Sequence, residues 1–194
     1  MFGPMPVHPL KSVCWAAVCL LMANGPSVRG AETLAVRDCA GALHRPLELG
    51  GRKAAVLVFI SRDCPVANSL APEINRIVAA YTNFAFYVVH ADADTKPEAA
   101  AQHARDFQFQ APVLLDPSQR LVKLAGATRT PEAVVLNAEA NVLYRGRIND
   151  LYAALGKRRA RPTRHDLREA LDAIDAGKPV ANSETKVVGC HIPR

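Results

Sequence analysis

One segment constrains the possible folds more than any other in the chain. It is an apolar run followed by a polar turn, a cysteine and a proline. Residues 54–60 carry no polar side chain, which predicts a strand buried on both faces of a sheet. Cys64 and Pro65 follow and open a predicted helix, because proline suits the first helical turn. The pattern therefore puts a sulfur at a helix N-terminus, where free N–H groups and the helix dipole lower the pKa of a thiol and make it a nucleophile.

The cysteine count restricts the redox partner of Cys64. A Cys-x-x-Cys motif would need a second cysteine at position 67, where the chain has Ala67. Of the five cysteines, two lie in the first 30 residues, and Cys39, Cys64 and Cys190 remain. Three cysteines leave either one disulfide plus a free thiol, or a reactive cysteine that is not always paired.

The first 30 residues have the pattern of a secretory signal peptide. Lys11 precedes a short apolar run over 13–22, and small residues follow up to Gly30. The run is too short to span a bilayer comfortably, although an uncleaved anchor is the alternative. We expect cleavage after Gly30 and an exported protein, periplasmic or secreted, with one domain over 31–180 and a tail over 181–194 that carries Cys190.

The charge is mildly basic. The chain has a formal net charge of +6, and Lys11 and Arg29, the charged residues of the predicted signal, contribute two of these charges, so +4 remains on the rest. Basic residues cluster within 157–164, which we interpret as a solvated loop rather than a nucleic-acid or membrane site. Zinc-ligand spacing, a Walker motif and a dinucleotide fingerprint are all missing from the sequence, so we predict no cofactor and no metal.

Turn residues divide the domain into a regular order of strands and helices. Short apolar pieces around a turn at 38–41 predict an N-terminal β-hairpin. The further predicted elements are a strand over 54–60, a helix over 65–81, a strand over 84–90, a helix ending at 107, an edge strand over 112–115, a helix over 116–126, strands over 133–136 and 142–145, and a helix over 166–176 capped by Thr163. This order predicts an α/β three-layer sandwich, with a mixed central sheet flanked by helices.

Two proline positions make the chain resemble the thioredoxin-like superfamily over roughly residues 33–176. Pro72 follows Cys64 by eight residues, the spacing of the nucleophilic cysteine and kinking proline of thioredoxins. Thr130-Pro131 precedes a predicted strand, at the position of the cis-proline of that superfamily. The resemblance implies a cis peptide bond at Pro131 and a main-chain edge that faces the substrate.

Within that superfamily, the chain is similar to the exported peroxiredoxin-like redoxins of the AhpC/TSA group. The shared pieces are a lone Cys64-Pro65, a late Gly189-Cys190, and residues 144–148 followed by 156–159. Ser61 fits the serine or threonine that peroxiredoxins have three residues before the cysteine. Two positions depart from the peroxiredoxin pattern, since Leu57 stands where they have proline and Pro131 where they have arginine.

The resemblance implies a thiol oxidoreductase with Cys64 as the nucleophile. Attack on a substrate leaves a mixed disulfide, or a sulfenic acid when the oxidant is a peroxide, and either needs a resolving thiol. Cys190 is the candidate, on a tail long enough to fold back. The other site residues implied are Ser61 and Arg129 as stabilisers of the thiolate, and Pro65, Thr130 and Pro131 at the substrate edge. The expected partners are protein thiols or disulfides, or a peroxide, together with an unidentified reductant.

Several alternatives stay open at this stage. The chain is alternatively a thiol peroxidase, or a non-enzymatic redoxin-fold module that holds a thiol partner or a metal. Cys39 rather than Cys64 is an alternative partner of Cys190, since a disulfide needs Cα atoms within about 7 Å. Cys64 as an inert buried residue is the structural alternative.

Overall fold

The apolar run before Cys64 forms the central strand of a five-stranded mixed sheet. A computed structural model describes residues 1–3 and 34–193. Its elements, in chain order, are β1 (Val36–Arg37), β2 (Leu43–His44), β3 (Ala55–Ile60), α1 (Pro65–Ala80), β4 (Ala85–His90), α2 (Pro97–Asp106), β5 (Val113–Leu115), α3 (Arg120–Ala125), β6 (Arg129–Thr130), β7 (Glu132–Leu136), β8 (Val142–Gly146), β9 (Tyr152–Ala154), β10 (Lys157–Arg158), α4 (Asp166–Asp175) and β11 (Cys190–His191).

The sheet has the strand order β5-β4-β3-β7-β8. β3 runs parallel to β4, with Ile60 opposite His90, and antiparallel to β7, with Phe59 opposite Glu132. A parallel pair needs a crossover connection, which α1 supplies, whereas β7 and β8 are joined by a short turn. The predicted mixed α/β sheet, its parallel pair and its final hairpin are confirmed, and so is the N-terminal hairpin, β1 with β2.

Helices cover both faces of the sheet, and the alternation along β3 decides which side chain meets which helix. Val58 and Ile60 lie in one core with residues of α1 and α4. Leu57 and Phe59 point the other way and lie in a second core with residues of α3. Because both faces are covered, all six residues of β3 are buried, as the unbroken apolar run predicts.

One helix start and one helix cap differ from the predicted ones, because nearby carboxylates take the groups involved. α3 begins at Arg120 rather than at residue 116, and the Asp116 carboxylate accepts the N–H groups of Arg120 and Val122, at 2.7 and 2.9 Å. The prediction that Thr163 caps the last helix is wrong. Its hydroxyl donates instead to the buried carboxylate of Asp150, at 2.6 Å, and α4 begins three residues later.

The chain after α4 returns to the sheet and fixes the position of Cys190. Ser183 and Thr185 bond to the main chain of Arg145 on β8, at 2.8 and 3.1 Å. The chain then forms β11, which pairs antiparallel with β6 so that Cys190 lies opposite Thr130. The sequence predicts only a polar tail here, because a strand of two residues leaves no detectable periodicity.

The predicted signal peptide falls almost entirely outside the described residues, so it stays a prediction. Among the residues that the structure does describe, no helix combines the length and the apolar character needed to cross a membrane.

Candidate active site

Cys64 lies directly before the first turn of α1, with its side chain buried. Its backbone is extended, its N–H donates to Ser61 O at 3.2 Å, and its carbonyl accepts the N–H of Asn68 at 3.0 Å. Pro65 is the first helical residue, where its missing N–H costs no hydrogen bond because the N–H groups of the first turn have no partner within the helix. The sequence prediction of a sulfur at a helix start is therefore confirmed in its geometry.

The loop before β7 presents its main chain to this sulfur. The Thr130–Pro131 peptide bond is cis, as the resemblance implies. The Cys64 thiol donates to the carbonyl oxygen of Thr130 at 3.0 Å. The Thr130 hydroxyl is also buried, and within residues 34–193 it has no hydrogen-bond partner. Thr130 and Pro131 thus form one wall of the sulfur site.

Cys190 reaches the same wall from the tail. Cys190 lies opposite Thr130 in the β6–β11 pair, and Cys64 and Cys190 both line one cavity. Both cysteines are reduced, as is Cys39. Cys39 lies instead beside β5, where its N–H donates to Val113 O at 2.9 Å, and β4 separates β5 from β3. The structure brings Cys190 to Cys64 and keeps Cys39 at another strand.

The two thiols differ in their acidity. Burial alone would raise the pKa of Cys64, but the Thr130 side chain, the Ala67 N–H and the Cys190 thiol favour its thiolate and hold the pKa below the ordinary value. Burial and the neighbouring Cys64 sulfur raise the pKa of Cys190 to about 11. Cys64 is therefore the thiol that ionises first, and Cys190 is the one that keeps its proton.

Two further predicted site residues, Ser61 and Arg129, lie near the cysteine pair. Ser61 lines the cavity beside the thiols, and its hydroxyl accepts the N–H of Asp63 at 3.4 Å. The Arg129 guanidinium donates to the Gly189 carbonyl at 3.1 Å, so its observed contact is with the tail.

A chain of hydrogen bonds that starts from two buried histidines supports the loop before Cys64, and the sequence did not predict it. His90 at the end of β4 contacts His103 on α2, with 3.2 Å between Nε2 and Nδ1. His103 Nε2 lies 2.9 Å from Asn68 Oδ1, and the Asn68 amide donates to Arg62 O at 2.8 Å. Asn68 Oδ1 can only accept, so the proton of the neutral His103 ring is on Nε2. His103 Nδ1 therefore accepts a hydrogen bond, and His90 donates it from Nε2. A histidine ending an apolar strand was the sequence signal available.

The Nδ1 atom of His90 is left as a buried acceptor without a partner among the described residues. Burial and the nearby His103 lower the pKa of His90 to about 4, so the ring is neutral at physiological pH. The two histidines thus act as a neutral support beneath the Arg62 carbonyl.

A cavity of about 500 Å³ has both cysteines in its lining. Its walls come from the Ser61–Cys64 loop, from the segment before α2 and from the tail. The cavity lining includes the cations of Arg62 and Lys96, the anions of Asp63, Asp92 and Asp94, and both cysteines. Within residues 1–3 and 34–193, no three His, Cys, Asp or Glu side chains gather as metal ligands.

The sheet order, the cysteine at a helix start and the adjacent cis-proline define a thioredoxin-like fold. Residues 31–148 match the profile of the AhpC/TSA family. Because this match spans more than half of the chain, the chain belongs to the AhpC/TSA family. No curated protein sequence matches the chain.

Similar solved structures agree with this fold. A hypothetical protein from Sinorhizobium meliloti is 24% identical, with a TM-score of 0.72 over 84% of this chain and 91% of that one. An uncharacterized conserved protein from Geobacillus kaustophilus is also 24% identical, with a TM-score of 0.72 over 82% and 87% of the two chains. DsbF from Mycobacterium tuberculosis, solved in mixed oxidized and reduced forms, is 18% identical, with a TM-score of 0.55 over 72% and 93%.

Proposed function

We propose that the protein is an exported thiol–disulfide oxidoreductase in which Cys64 is the nucleophile and Cys190 the resolving cysteine. The observation that carries the proposal is the convergence of both cysteines on Thr130, whose carbonyl accepts the Cys64 thiol and which lies opposite Cys190 in the β6–β11 pair. A Cys-x-x-Cys motif would place a second thiol at position 67, where this chain has Ala67. Cys190 takes that role as a thiol near the nucleophile. Membership in the AhpC/TSA family supports a redox function at the level of the class.

The different acidities of the two thiols suit their two roles. The Cys64 thiolate attacks one sulfur of a substrate disulfide, a mixed disulfide forms, and the first substrate thiolate leaves. Cys190 then gives up its proton and attacks the Cys64 sulfur, which releases the second substrate thiol. The protein is left with a Cys64–Cys190 disulfide, having reduced the substrate by two electrons, and an external reductant restores the dithiol.

A thiol peroxidase is the second candidate, and membership in the AhpC/TSA family favours it. The Cys64 thiolate would attack one oxygen of a hydroperoxide, giving a sulfenic acid and an alcohol or water. Attack by Cys190 would then form the same disulfide and release water. Stopped-flow oxidation by hydrogen peroxide separates the two candidates, because only a peroxidase makes Cys64 react much faster than free cysteine.

The disulfide itself is tested by mass spectrometry of peptides from the protein after mild oxidation. We expect one bond, between Cys64 and Cys190, in the wild type and in the Cys39→Ser variant. The Cys190→Ser variant should instead retain a mixed disulfide on Cys64 when it is mixed with a substrate disulfide. A Cys39–Cys190 bond, or unchanged thiol exchange in Cys64→Ser, would contradict the proposal.

A further inference from the structure

The edge of β6 beside the cis-proline is already paired with the chain's own tail. Cys190 and His191 form strand β11 against Arg129 and Thr130, and the Ile192 N–H continues the pairing to Thr128 O at 3.0 Å. These main-chain groups are the ones that an incoming polypeptide strand would otherwise use, because β-strand addition works through main-chain hydrogen bonds.

Gly189 allows the tail to lie this close. A Cβ atom at position 189 would fall inside the contact distance of the Thr130 carbonyl oxygen and carbon, and would press on the Pro131 ring. Backbone atoms cannot move aside as a flexible side chain does. The tail is therefore seated on Thr130–Pro131 through the one residue type that has no side chain.

Contacts on both sides of Gly189 hold the tail in place. Upstream, Thr185 accepts the Arg147 N–H at 3.1 Å and bonds to Tyr144 at 2.8 Å. Downstream, Ile192 is buried in the second core, and the Gln119 amide donates to Pro193 O at 2.6 Å. The tail thus occupies the edge as an anchored part of the fold.

With the β6 edge occupied, the open space beside the two cysteines is the cavity of about 500 Å³. A volume of that size suits a small ligand, whereas an extended polypeptide needs a strand edge for its main chain. The lining carries both signs of charge, with Arg62 and Lys96 against Asp92 and Asp94. Such a wall suits a ligand that carries both an ammonium and a carboxylate group.

We propose that the tail restricts the Cys64–Cys190 pair to low-molecular-weight disulfides by occupying the polypeptide-binding edge at Thr130–Pro131. This inference rests on the proposed function, and it names the substrate class of the same site. In the reaction with cystine, the Cys64 thiolate breaks the cystine S–S bond and one cysteine thiolate leaves. Cys190 then loses its proton, bonds to Cys64 and releases the second cysteine, so one cystine yields two cysteines and one protein disulfide.

Rates of Cys64 consumption by two probes, cystine and insulin, test the inference on the reduced full chain. Quenched samples are read by mass spectrometry. We expect the wild type to react with cystine at least tenfold faster than with the polypeptide disulfides of insulin. The Gly189→Val variant, which the Thr130 carbonyl cannot accommodate, should raise the ratio of the insulin rate to the cystine rate at least tenfold over the wild type, because the ratio cancels any change in the acidity of Cys64.

Ala181→Val is the matched control, because residue 181 is an exposed position of the same tail and should leave both rates unchanged. A chain ending at Lys186 is the second variant, and it should repeat the gain with insulin without placing any new side chain against Thr130. Equal wild-type rates with the two probes, or an unchanged rate ratio in both tail variants, would overturn the inference. If neither probe oxidises wild-type Cys64, the proposed function itself has failed.

Discussion

At the scale of single residues, the site depends on two thiols that share one neighbour. Thr130 accepts the Cys64 thiol at its carbonyl and leaves its buried hydroxyl without a partner in the described chain. An unpaired buried hydroxyl carries a desolvation cost, which a hydrogen bond to the Cys64 thiolate removes. The environment therefore favours ionisation of the Cys64 thiol and opposes ionisation of the Cys190 thiol, although the two cysteines lie in the same site.

Replacing Thr130 tests the role of its hydroxyl. A hydrogen bond to a charged group contributes about 1.5–3 kcal/mol, so Thr130→Val should raise the pKa of Cys64 and slow its alkylation by iodoacetamide at pH 7 by about tenfold or more. Thr130→Ser retains the hydroxyl and should stay near the wild-type rate. The measurement is the alkylation rate of Cys64 against pH, and equal profiles for the valine and serine variants would contradict this role.

At the scale of elements, β4 and α2 support the catalytic loop through His90 and His103. The hydrogen bonds run from these histidines through Asn68 to the Arg62 carbonyl, two residues before Cys64. The histidine rings are neutral here, since His90 is fully buried and, within residues 34–193, hydrogen-bonds to His103 and to no carboxylate. The elements that hold the nucleophile are thus sensitive to acid.

Acid should destabilise the protein through His90. Its pKa is about 4 in the folded state, against about 6.5 in the unfolded state, so the unfolded chain binds more protons between these values. The stabilisation is complete above about pH 6.5 and is lost as the pH falls toward 4. Between pH 7 and pH 4.5, we expect this group to lower the free energy of unfolding by about 2 kcal/mol.

Urea unfolding at the two pH values measures this loss. His90→Gln retains a donor toward His103 and removes the titration, so its free energy of unfolding should fall less with acid than that of the wild type. His165→Gln alters an exposed histidine and should keep the wild-type acid sensitivity. The same acid loss in His90→Gln and wild type would show that His90 is not its source.

At the scale of the whole molecule, the tail joins the last part of the chain to the strand–turn–helix unit near its start. The contact between Cys64 and Cys190 spans more than a hundred residues of sequence. The redox state of the pair therefore determines whether a long loop is closed covalently, and it couples the site to global stability.

Oxidation should stabilise the fold. Closing a loop of this length contributes roughly 4–5 kcal/mol in the chain-entropy description. For a domain of this size, that corresponds to a rise in Tm of about 10 °C. Thermal unfolding of the oxidised and the dithiothreitol-reduced protein measures the difference, which should persist in Cys39→Ser and vanish in Cys190→Ser. Equal Tm values, with the Cys64–Cys190 bond verified by mass spectrometry, would contradict the expectation.

Local patterns along the chain were enough to predict the sheet and the position of Cys64 at a helix start. The unbroken apolar run of β3 and the Pro65 helix start are determined by near neighbours in sequence, because burial and helix capping act over a few residues. The predicted cap at Thr163 failed because Asp150, thirteen residues away, takes its hydroxyl. Hydrogen bonds between distant residues leave no periodic signal.

The sequence by itself determined the fold class and the helix-start position of Cys64, since hydrophobic periodicity and a proline at the first helical turn are local properties. Only the tertiary structure decided which thiol accompanies Cys64, because the β6–β11 pairing brings Cys190 to Thr130 and leaves Cys39 beside β5. It also decided that the edge at the cis-proline is occupied. Two-residue strands gain their stability from contacts between distant parts of the chain, and those contacts exist only once the sheet has formed.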